Sequence, residues 1–167
     1  MIQVYTGNGK GKTTAALGLA LRAAGCGLKV YIAQFCKGRQ TSELNTLKKI
    51  KNIKIEQFGS CCFITKTPTQ KDISLARQGL IKVEEAIKSK AYDMIIMDEA
   101  NLAIKLNLIR LKDILTAIKK IPDSTELILT GRDAHPKIVE IADLVSEVKE
   151  KKHYYNKGIK ARKGIEE

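Results

Sequence analysis

The feature that most constrains the fold of this chain is a glycine-lysine segment near its start. Residues 6–14 read TGNGKGKTT and follow a short apolar run at residues 2–5 (IQVY). A strand, a glycine-rich turn and a helix in this order are typical of phosphate-binding loops. Backbone N–H groups of the turn and the positive end of the helix dipole then point to one anion. The sequence therefore predicts a phosphate site at the beginning of the chain.

This loop departs from the pattern G-x-x-x-x-G-K-[ST] at one position. Residues 11–13 match its second half, whereas Thr6 stands where the first glycine is expected. Lys12 adds a positive charge for the phosphates, and the hydroxyl of Thr13 is a ligand for Mg²⁺. Alternating glycines let backbone N–H groups turn inwards because no Cβ blocks them. These glycines are Gly7, Gly9 and Gly11.

A second run, MIIMDEAN at residues 94–101, predicts the other half of a nucleotide site. Asp98 and Glu99 end an apolar strand, and in a parallel sheet this tip lies beside the phosphate loop. Carboxylates at this place hold Mg²⁺ directly or through water. An Asp-Glu pair is also typical of ATPases, in which the glutamate polarises water. The residues alone leave these two roles open, although no arginine finger and no lid insertion is recognisable.

Strand-like and helix-like segments alternate along the chain. This alternation predicts an α/β fold with a doubly wound, mostly parallel sheet of about six strands and helices on both faces. The predicted strands are residues 2–5, 29–35, 53–58, 92–99, 126–130 and 144–148. The predicted helices are residues 72–89, with Asp72 as N-cap, 110–121 and 136–142. Residues 59–71 form the one long irregular stretch, which in a compact domain is usually functional or mobile.

Composition bounds the class of protein. A length of 167 residues with 44% apolar residues suits one domain over residues 1–167. We expect a cytoplasmic protein, because no leader and no long apolar run is present, and its cysteines should be reduced thiols. A metal site formed by Cys36, Cys61 and Cys62 is a less favoured alternative.

The net charge of +12 permits two interpretations. The lysines can simply lie on solvent-exposed faces, or they can form an electropositive surface that binds an anionic partner, such as a nucleotide together with a second acidic ligand. A nucleic-acid-binding protein with a regulatory ATP site is the alternative from another class. The charge favours this alternative only weakly, and no pattern of aromatic interleaving supports it.

The C-terminal segment carries a more specific signal. It resembles the signature of the P-loop ATP:corrinoid adenosyltransferases, and the resemblance extends over essentially the whole chain. The matching elements are T-G-R at residues 130–132, E-x-A-D-L-V-[ST]-E at 140–147, K-H at 152–153, G-I-K-A-x-x-G-I at 158–165, Q-F-x-K-G at 34–38 and the loop itself.

The resemblance implies a RecA-like fold and a homodimer. The implied reaction transfers the 5′-deoxyadenosyl group of ATP to the Co(I) centre of a reduced corrinoid, with tripolyphosphate as leaving group. It further implies Mg²⁺ and an external, flavoprotein-like reductant that forms Co(I), but no membrane partner. A P-loop ATPase or small-molecule kinase that releases ADP is the alternative enzyme.

Carried over residue by residue, the resemblance assigns Lys12 and Glu99 as catalytic residues. Thr13 and Glu99 would hold Mg²⁺ with support from Asp98. The nucleotide or the corrinoid would be bound by Gly7, Asn8, Gly9, Lys10, Gly11, Lys12, Thr13, Thr14, Arg22, Arg132 and Phe63.

Two further features concern the side of the site that would face the corrinoid. The family's G-F-T-W segment is replaced here by GSCCFIT at residues 59–65, so Phe63 is the nearest aromatic candidate for the corrin face. The tail, residues 149–167, is rich in lysine but also carries Tyr154 and Ile165. Because the last predicted strand is parallel to the others, we expect this tail to cover the site.

Overall fold

A computed structural model of the chain describes residues 1–60 and 67–166. Within these residues six strands form one sheet in the spatial order β3-β2-β4-β5-β1-β6, and every neighbouring pair is parallel. The strands are β1 Ile2–Thr6, β2 Val30–Phe35, β3 Ile53–Phe58, β4 Met94–Asp98, β5 Glu126–Thr130 and β6 Leu144–Glu147. The helices are α1 Lys12–Gly25, α2 Ser42–Leu47, α3 Gln70–Ser89, α4 Ala100–Lys105, α5 Leu111–Ile118 and α6 Pro136–Glu140, and a 3-10 helix spans Tyr154–Lys157.

Side-chain alternation in the central strands builds one core on each face of the sheet. Tyr31 and Phe35 of β2 pack with α3, α4, α5 and α6 on one face. Val30 and Ile32 alternate with these residues along β2 and pack with α1 and α2 on the other face of the sheet. Strands covered on both faces have to be apolar throughout, which is why β2 is buried at every position. The predicted doubly wound α/β architecture is confirmed, with an entirely parallel sheet.

The predicted start of α3 is wrong by two residues. Thr69, not Asp72, is the N-cap, and Asp72 occupies the third helical position of a capping box. The backbone N–H of Asp72 donates to Thr69 Oγ1 at 3.2 Å, and the backbone N–H of Thr69 donates to Asp72 Oδ2 at 2.9 Å. Hydrogen bonds that the Asp72 carboxylate accepts from the hydroxyl group and then from the backbone N–H of Thr69 hold the pKa of Asp72 below its ordinary value. An acidic residue three positions after a threonine is the signal of this motif.

Other boundaries differ because the elements are short. α5 and α6 end earlier than predicted, and α2 and α4 were not predicted, since six residues give too little apolar periodicity to detect. Of the long irregular stretch, Gln70 and Lys71 belong to α3. Cys61, Cys62 and Phe63 lie outside the described residues. Among the described helices, none combines the length and the apolar character required to cross a bilayer.

The contact between α3 and the sheet yields a stability prediction at Gly79. A Cβ at this buried helical position would lie 2.7 Å from Phe58 Cγ and 2.8 Å from Phe35 Cε1, two rings that contact each other. Gly79→Ala should therefore lower the free energy of unfolding by about 1–3 kcal/mol through overpacking. Urea denaturation followed by circular dichroism measures this change.

Gly18 of α1 is the matched control. It is also helical, but a Cβ there meets nothing within 4 Å. Gly18→Ala should raise the free energy of unfolding by roughly 0.5–1 kcal/mol, because alanine restricts the unfolded chain and favours the helix. A Gly79→Ala variant as stable as Gly18→Ala would contradict the close approach of α3 to the two rings.

Candidate active site

The candidate site lies at the carboxyl edge of the sheet, where β1, β5 and β4 end side by side. β5 pairs with β1 and with β4, and Tyr5 of β1 is in register with Thr130 of β5. Gly131 then donates its N–H to Tyr5 O at 3.1 Å. As a result the glycine-rich loop after β1, the Asp98-Glu99 pair at β4 and the turn after β5 meet at one place.

Asp98 is the most buried charged group of this edge. Its side chain is fully buried and its Oδ1 accepts hydrogen bonds from Thr13 Oγ1 at 2.8 Å and Thr130 Oγ1 at 2.6 Å. Its Oδ2 accepts from Gln34 Nε2 at 3.1 Å and Lys37 Nζ at 2.7 Å. Burial alone would raise its pKa, but Lys37 and the hydrogen bonds hold the pKa of Asp98 below its ordinary value. Both oxygens are thus occupied by protein donors.

Glu99 has the opposite environment. Its backbone takes the left-handed conformation, with φ 60° and ψ 20°, and its N–H donates to Thr130 Oγ1 at 3.0 Å. Within the described part of the chain, no hydrogen bond reaches its carboxylate. Burial raises the pKa of Glu99, the charge of Asp98 adds to this, and Lys37 opposes it. A non-glycine residue in the left-handed region costs about 1–3 kcal/mol and often marks a functional position.

The glycines of the loop serve two different purposes. Gly9 donates its N–H to Val148 O at 2.7 Å, and Val148 donates to Thr6 O at 2.8 Å, so the chain after β6 runs directly along the loop. A Cβ would lie 2.5 Å from Val148 O at Gly7 and 2.8 Å from it at Gly9. Gly11, at φ 117°, instead faces open space before α1. The N–H of Gly9 therefore does not turn inwards as the sequence analysis expected, because Val148 O accepts it.

Lys12 is buried at the start of α1, and its Nζ donates to Gly9 O at 2.7 Å. Burial lowers its pKa, Glu99 opposes this, and Arg132 adds to the lowering. Arg132 itself is exposed, directly after β5. The site thus combines the cationic side chains of Lys12, Lys37 and Arg132 with two carboxylates, so an added anion improves its charge balance.

Two predicted binding residues, Arg22 and Lys10, lie or point away from the phosphate loop. Arg22 is exposed in the last turn of α1, about 15 Å along the helix axis from Lys12 at 1.5 Å per residue. Lys10 Nζ donates to Tyr154 Oη at 2.8 Å and to Glu166 Oε1 at 2.9 Å, which directs it to the tail. Phe63 lies outside the described residues. Asn8 and Thr14 occupy exposed positions of the loop and of α1.

Three of the donors that surround Asp98, namely Gln34, Lys37 and Thr130, were not predicted from the sequence as partners of Asp98. Gln34 and Lys37 belong to the segment QFCKG, and Thr130 belongs to the segment T-G-R. Both segments contributed only to the family resemblance and were given no structural role. Gln34 is fully buried at the end of an otherwise apolar strand. A buried polar residue must be hydrogen-bonded, so its place in that strand was the available signal.

A cavity of about 530 Å³ adjoins this edge. One wall is the turn after β2 with Ser60, and the other wall comes from the tail. The lining residues are Cys36, Lys37, Gly38, Arg39, Gln40, Thr41, Ser42, Glu43, Asn45, Ser60, Ala161, Lys163 and Glu166. Burial, with Glu99 and Asp72 adding, raises the pKa of the Cys36 thiol to about 12, so this wall presents a protonated thiol.

The tail is held to the loop by a polar cluster. Arg162 pairs with Glu166 at 3.0 Å and lies over the ring of Tyr154 at 4.8 Å. Tyr154 donates a hydrogen bond to Glu166, and Lys10 contacts both residues. Arg162, followed by Tyr154 and Lys10, holds the pKa of Glu166 below its ordinary value. The cluster fixes the tail segment that borders the cavity.

The residues present fit a magnesium ion that arrives with a nucleotide. Within the described ranges, no group of three or more His, Cys, Asp or Glu side chains could hold a metal by itself. Glu99 has a free carboxylate. The hydroxyl of Thr13 donates its proton to Asp98 and accepts a hydrogen bond from Lys37 at 3.3 Å, which leaves one lone pair for a further partner. Mg²⁺ usually takes one or two protein ligands and completes its shell with phosphate and water.

Fold and site together define a nucleotide-binding P-loop protein. The structure is similar to that of the KaiC-like protein PH0186 from Pyrococcus horikoshii OT3, with a TM-score of 0.56 and 17% identity over 90% of this chain and 74% of that chain. This similarity concerns the fold alone, and the predicted RecA-like P-loop fold is confirmed.

Sequence comparison identifies the family. The model of the ATP:corrinoid adenosyltransferase family BtuR/CobO/CobP matches residues 1–166. The chain is 32% identical to the corrinoid adenosyltransferase of Escherichia coli K12, over 99% of this chain and 85% of that protein. It is 33% identical to that of a Sinorhizobium species, over 99% and 79%. The chain belongs to this family, so the predicted transferase is confirmed over the ATPase or kinase alternative.

The raised pKa of Glu99 predicts a pH-dependent stability. A carboxyl group with a raised pKa in the folded state stabilises the fold below its ordinary pKa, and this contribution is lost as the pH rises through the raised value. At pH 7–8 Glu99→Gln should therefore raise the Tm of the ligand-free protein by about 2–4 °C. The gain should shrink towards pH 4, where Glu99 is protonated in both states.

Differential scanning calorimetry across this pH range checks the prediction, with the exposed Glu140→Gln as control. Glu140→Gln should leave the Tm within about 1 °C, as surface changes usually do. A Glu99→Gln variant less stable than the parent at pH 8 would mean that the Glu99 carboxylate is compensated in the fold.

Proposed function

We propose that this chain transfers the 5′-deoxyadenosyl group of ATP to the Co(I) centre of a reduced corrinoid and releases tripolyphosphate. One observation carries the proposal: in a member of this family, Lys12, Lys37 and Arg132 converge beside the glycine-rich loop. Such a cluster of cations suits a leaving group that gains negative charge.

The reaction needs no general base. The electron pair of Co(I) forms the bond to C5′ of the ribose, while the C5′–O bond breaks and its electrons leave with the tripolyphosphate. No proton is removed from the nucleophile, so the catalytic demand is alignment and stabilisation of charge. Lys12, at the start of α1, is the residue that we assign to the departing phosphates. The free N–H groups at the start of α1 add a favourable dipole.

Thr13 and Glu99 would hold Mg²⁺, and Asp98 would orient Thr13 by accepting its hydroxyl proton. When bound, the ion would supply positive charge to the triphosphate. We assign Glu99 as a metal ligand and not as a water activator, because water at this site would only hydrolyse ATP. The left-handed backbone of Glu99 supports this role, since it fixes the carboxylate at the strand tip.

The cavity between the turn after β2 and the tail is the proposed corrinoid side of the site. It has Lys37 on one wall, next to Asp98, and Lys163 on the other. Ser60 also lines it, and Phe63 follows three residues later, which is consistent with the predicted contact of Phe63 with the corrin face. In this proposal the tail covers the site, and ATP binds with C5′ towards the cavity.

The remaining partners follow from this chemistry. Formation of Co(I) requires an external reductant, for which a flavoprotein-like donor in the cytoplasm remains our proposal. A homodimer is also proposed. The exposed edge of the sheet favours it, because β6 leaves Leu144 and Val145 about 43% and 42% exposed. Large apolar side chains on an edge strand often mark a contact between chains.

The test of the function combines the protein with MgATP and chemically reduced cobalamin. The light-sensitive spectrum of the adenosylated product should appear, with one tripolyphosphate released per corrinoid. ADP, or phosphate released without corrinoid, would overturn the proposal in favour of a kinase or an ATPase.

Lys12→Ala should reduce turnover in this assay by about a hundredfold, which corresponds to roughly 3 kcal/mol of lost transition-state stabilisation. Its far-ultraviolet circular dichroism should stay that of the parent. The exposed Lys88→Ala variant removes one lysine of a helix far from the loop and should keep full activity. A Lys12→Ala enzyme with a near-normal rate would refute the assignment of the loop.

Truncation after Glu150 tests the tail. The shortened chain keeps Val148 and therefore both of its backbone hydrogen bonds to the loop. It should fold and bind ATP within about threefold of the parent, but its KM for cobalamin should rise by about tenfold or more because one wall of the cavity is lost. Isothermal titration calorimetry with ATP and steady-state kinetics with cobalamin separate the two effects.

Tyr155→Ala is the control for the truncation, because Tyr155 belongs to the same tail but is 72% exposed. It should leave both constants unchanged. Unaltered cobalamin kinetics in the truncated enzyme would show that the tail has no part in the site.

A further inference from the structure

Lys37 occupies an unusual position for a lysine. It follows Cys36, whose backbone is left-handed at φ 57°, and it precedes Gly38. A Cβ on Gly38 would lie 2.6 Å from the backbone of Ser60, so only glycine permits this close approach of two chain segments. This turn directs Lys37 inwards. Its Nζ lies 2.7 Å from Asp98 Oδ2 and 3.3 Å from Thr13 Oγ1.

We propose that Lys37 is a resident counter-ion of the metal position, which makes divalent-cation binding depend on the triphosphate. In the nucleotide-free protein its ammonium group neutralises Asp98 and takes one acceptor position of the Thr13 hydroxyl. The inference rests on the proposed function only in assigning Thr13 and Glu99 as ligands of Mg²⁺.

The charges explain why the metal is excluded. An ammonium group that contacts Thr13 lies within a few ångströms of any cation bound to the same hydroxyl. At that distance the repulsion with a divalent ion exceeds thermal energy even at the effective dielectric constant of protein sites. Lys12 and Arg132 add to this repulsion, since both act on Glu99. Two carboxylates are then too few to hold a divalent ion beside three cations.

A triphosphate reverses this balance. It brings several negative charges to the loop, so Lys37 can share its ammonium group with phosphate oxygens while the metal enters as part of the nucleotide complex. In this scheme Lys37 acts on the metal position through Asp98 and Thr13, and on the nucleotide through the phosphate oxygens. As a result, the metal binds together with the nucleotide and leaves together with the tripolyphosphate.

The alternative is a structural ion pair that only fixes the turn after β2. The two roles differ in one measurable property, which is the affinity of the nucleotide-free protein for a divalent cation. Removing a merely structural lysine leaves this affinity unchanged or lowers it. Removing a resident counter-ion raises it, since Asp98 and Thr13 then become available to the metal.

The experiment titrates the nucleotide-free full chain with Mn²⁺ and measures free Mn²⁺ by electron paramagnetic resonance. Lys37→Met removes the charge and keeps an apolar stem, whereas Lys37→Arg keeps the charge. Lys37→Met should bind Mn²⁺ at least tenfold more tightly than the parent or Lys37→Arg. Lys10→Met is the matched control, because Lys10 contacts the tail and not Asp98, and it should behave as the parent.

Lys37→Gln provides a second variant if Lys37→Met does not fold, because its amide can still donate to Asp98 without a charge. Mn²⁺ should also raise the Tm of either variant, because a ligand that binds the folded state stabilises it. The Tm of the parent should not change with Mn²⁺. Adding Glu99→Gln to the Lys37 variant should abolish the gain in Mn²⁺ affinity. Equal or weaker Mn²⁺ binding by both Lys37→Met and Lys37→Gln overturns the inference.

These outcomes do not depend on corrinoid chemistry. A gain in Mn²⁺ affinity in a protein that makes no adenosylcorrinoid would support the counter-ion role and refute the proposed function. Absence of the gain in a fully active transferase would overturn the counter-ion role alone.

Discussion

The site depends on the compensation of one buried charge, the carboxylate of Asp98. A buried carboxylate is stable only when hydrogen-bond donors replace the water that it has lost. Asp98 accepts hydrogen bonds from four such donors. They come from different parts of the fold: Thr13 from α1, Gln34 from β2, Lys37 from the following turn and Thr130 from β5. Because the donors must converge on two oxygens, Asp98 fixes the phosphate loop, the cavity wall and the end of β5 relative to one another.

Glu99, the next residue, is left without such compensation. Its partly buried carboxylate accepts no hydrogen bond from the described residues, and burial raises its pKa. Two adjacent carboxylates therefore have different tasks. Asp98 is saturated and holds the framework, whereas Glu99 keeps free oxygens at a cost in stability. A free carboxylate beside an oriented hydroxyl is the arrangement that a hard cation requires. In the role proposed for Lys37, this contrast lets a lysine bound to the saturated carboxylate control access of a metal to the open one.

The sequence predicted the features that depend on local patterns. The six strands, the helical stripes of α3 and the order strand, loop and helix follow from periodicity and composition over a few residues. What it could not predict depends on distant partners. Gly7 and Gly9 are required by Val148, which lies far along the chain, and Lys37 has its partner in β4. Arg22 was assigned from the resemblance, and the length of α1 separates it from Lys12. The cap of α3 was missed because Thr69 and Asp72 both qualify as caps.

The support of the loop by β6 has a further consequence for the chemistry. Thr6, Gly9 and Val148 are joined by backbone hydrogen bonds, so the first half of the loop is held by the sheet before any phosphate arrives. A loop that is already ordered loses little conformational entropy on binding, and more of the binding energy remains for the transition state. Gly11 is the exception, since it faces open space at the start of α1. In the proposed function the half of the loop next to Lys12 binds the phosphates, and the other half keeps it in place.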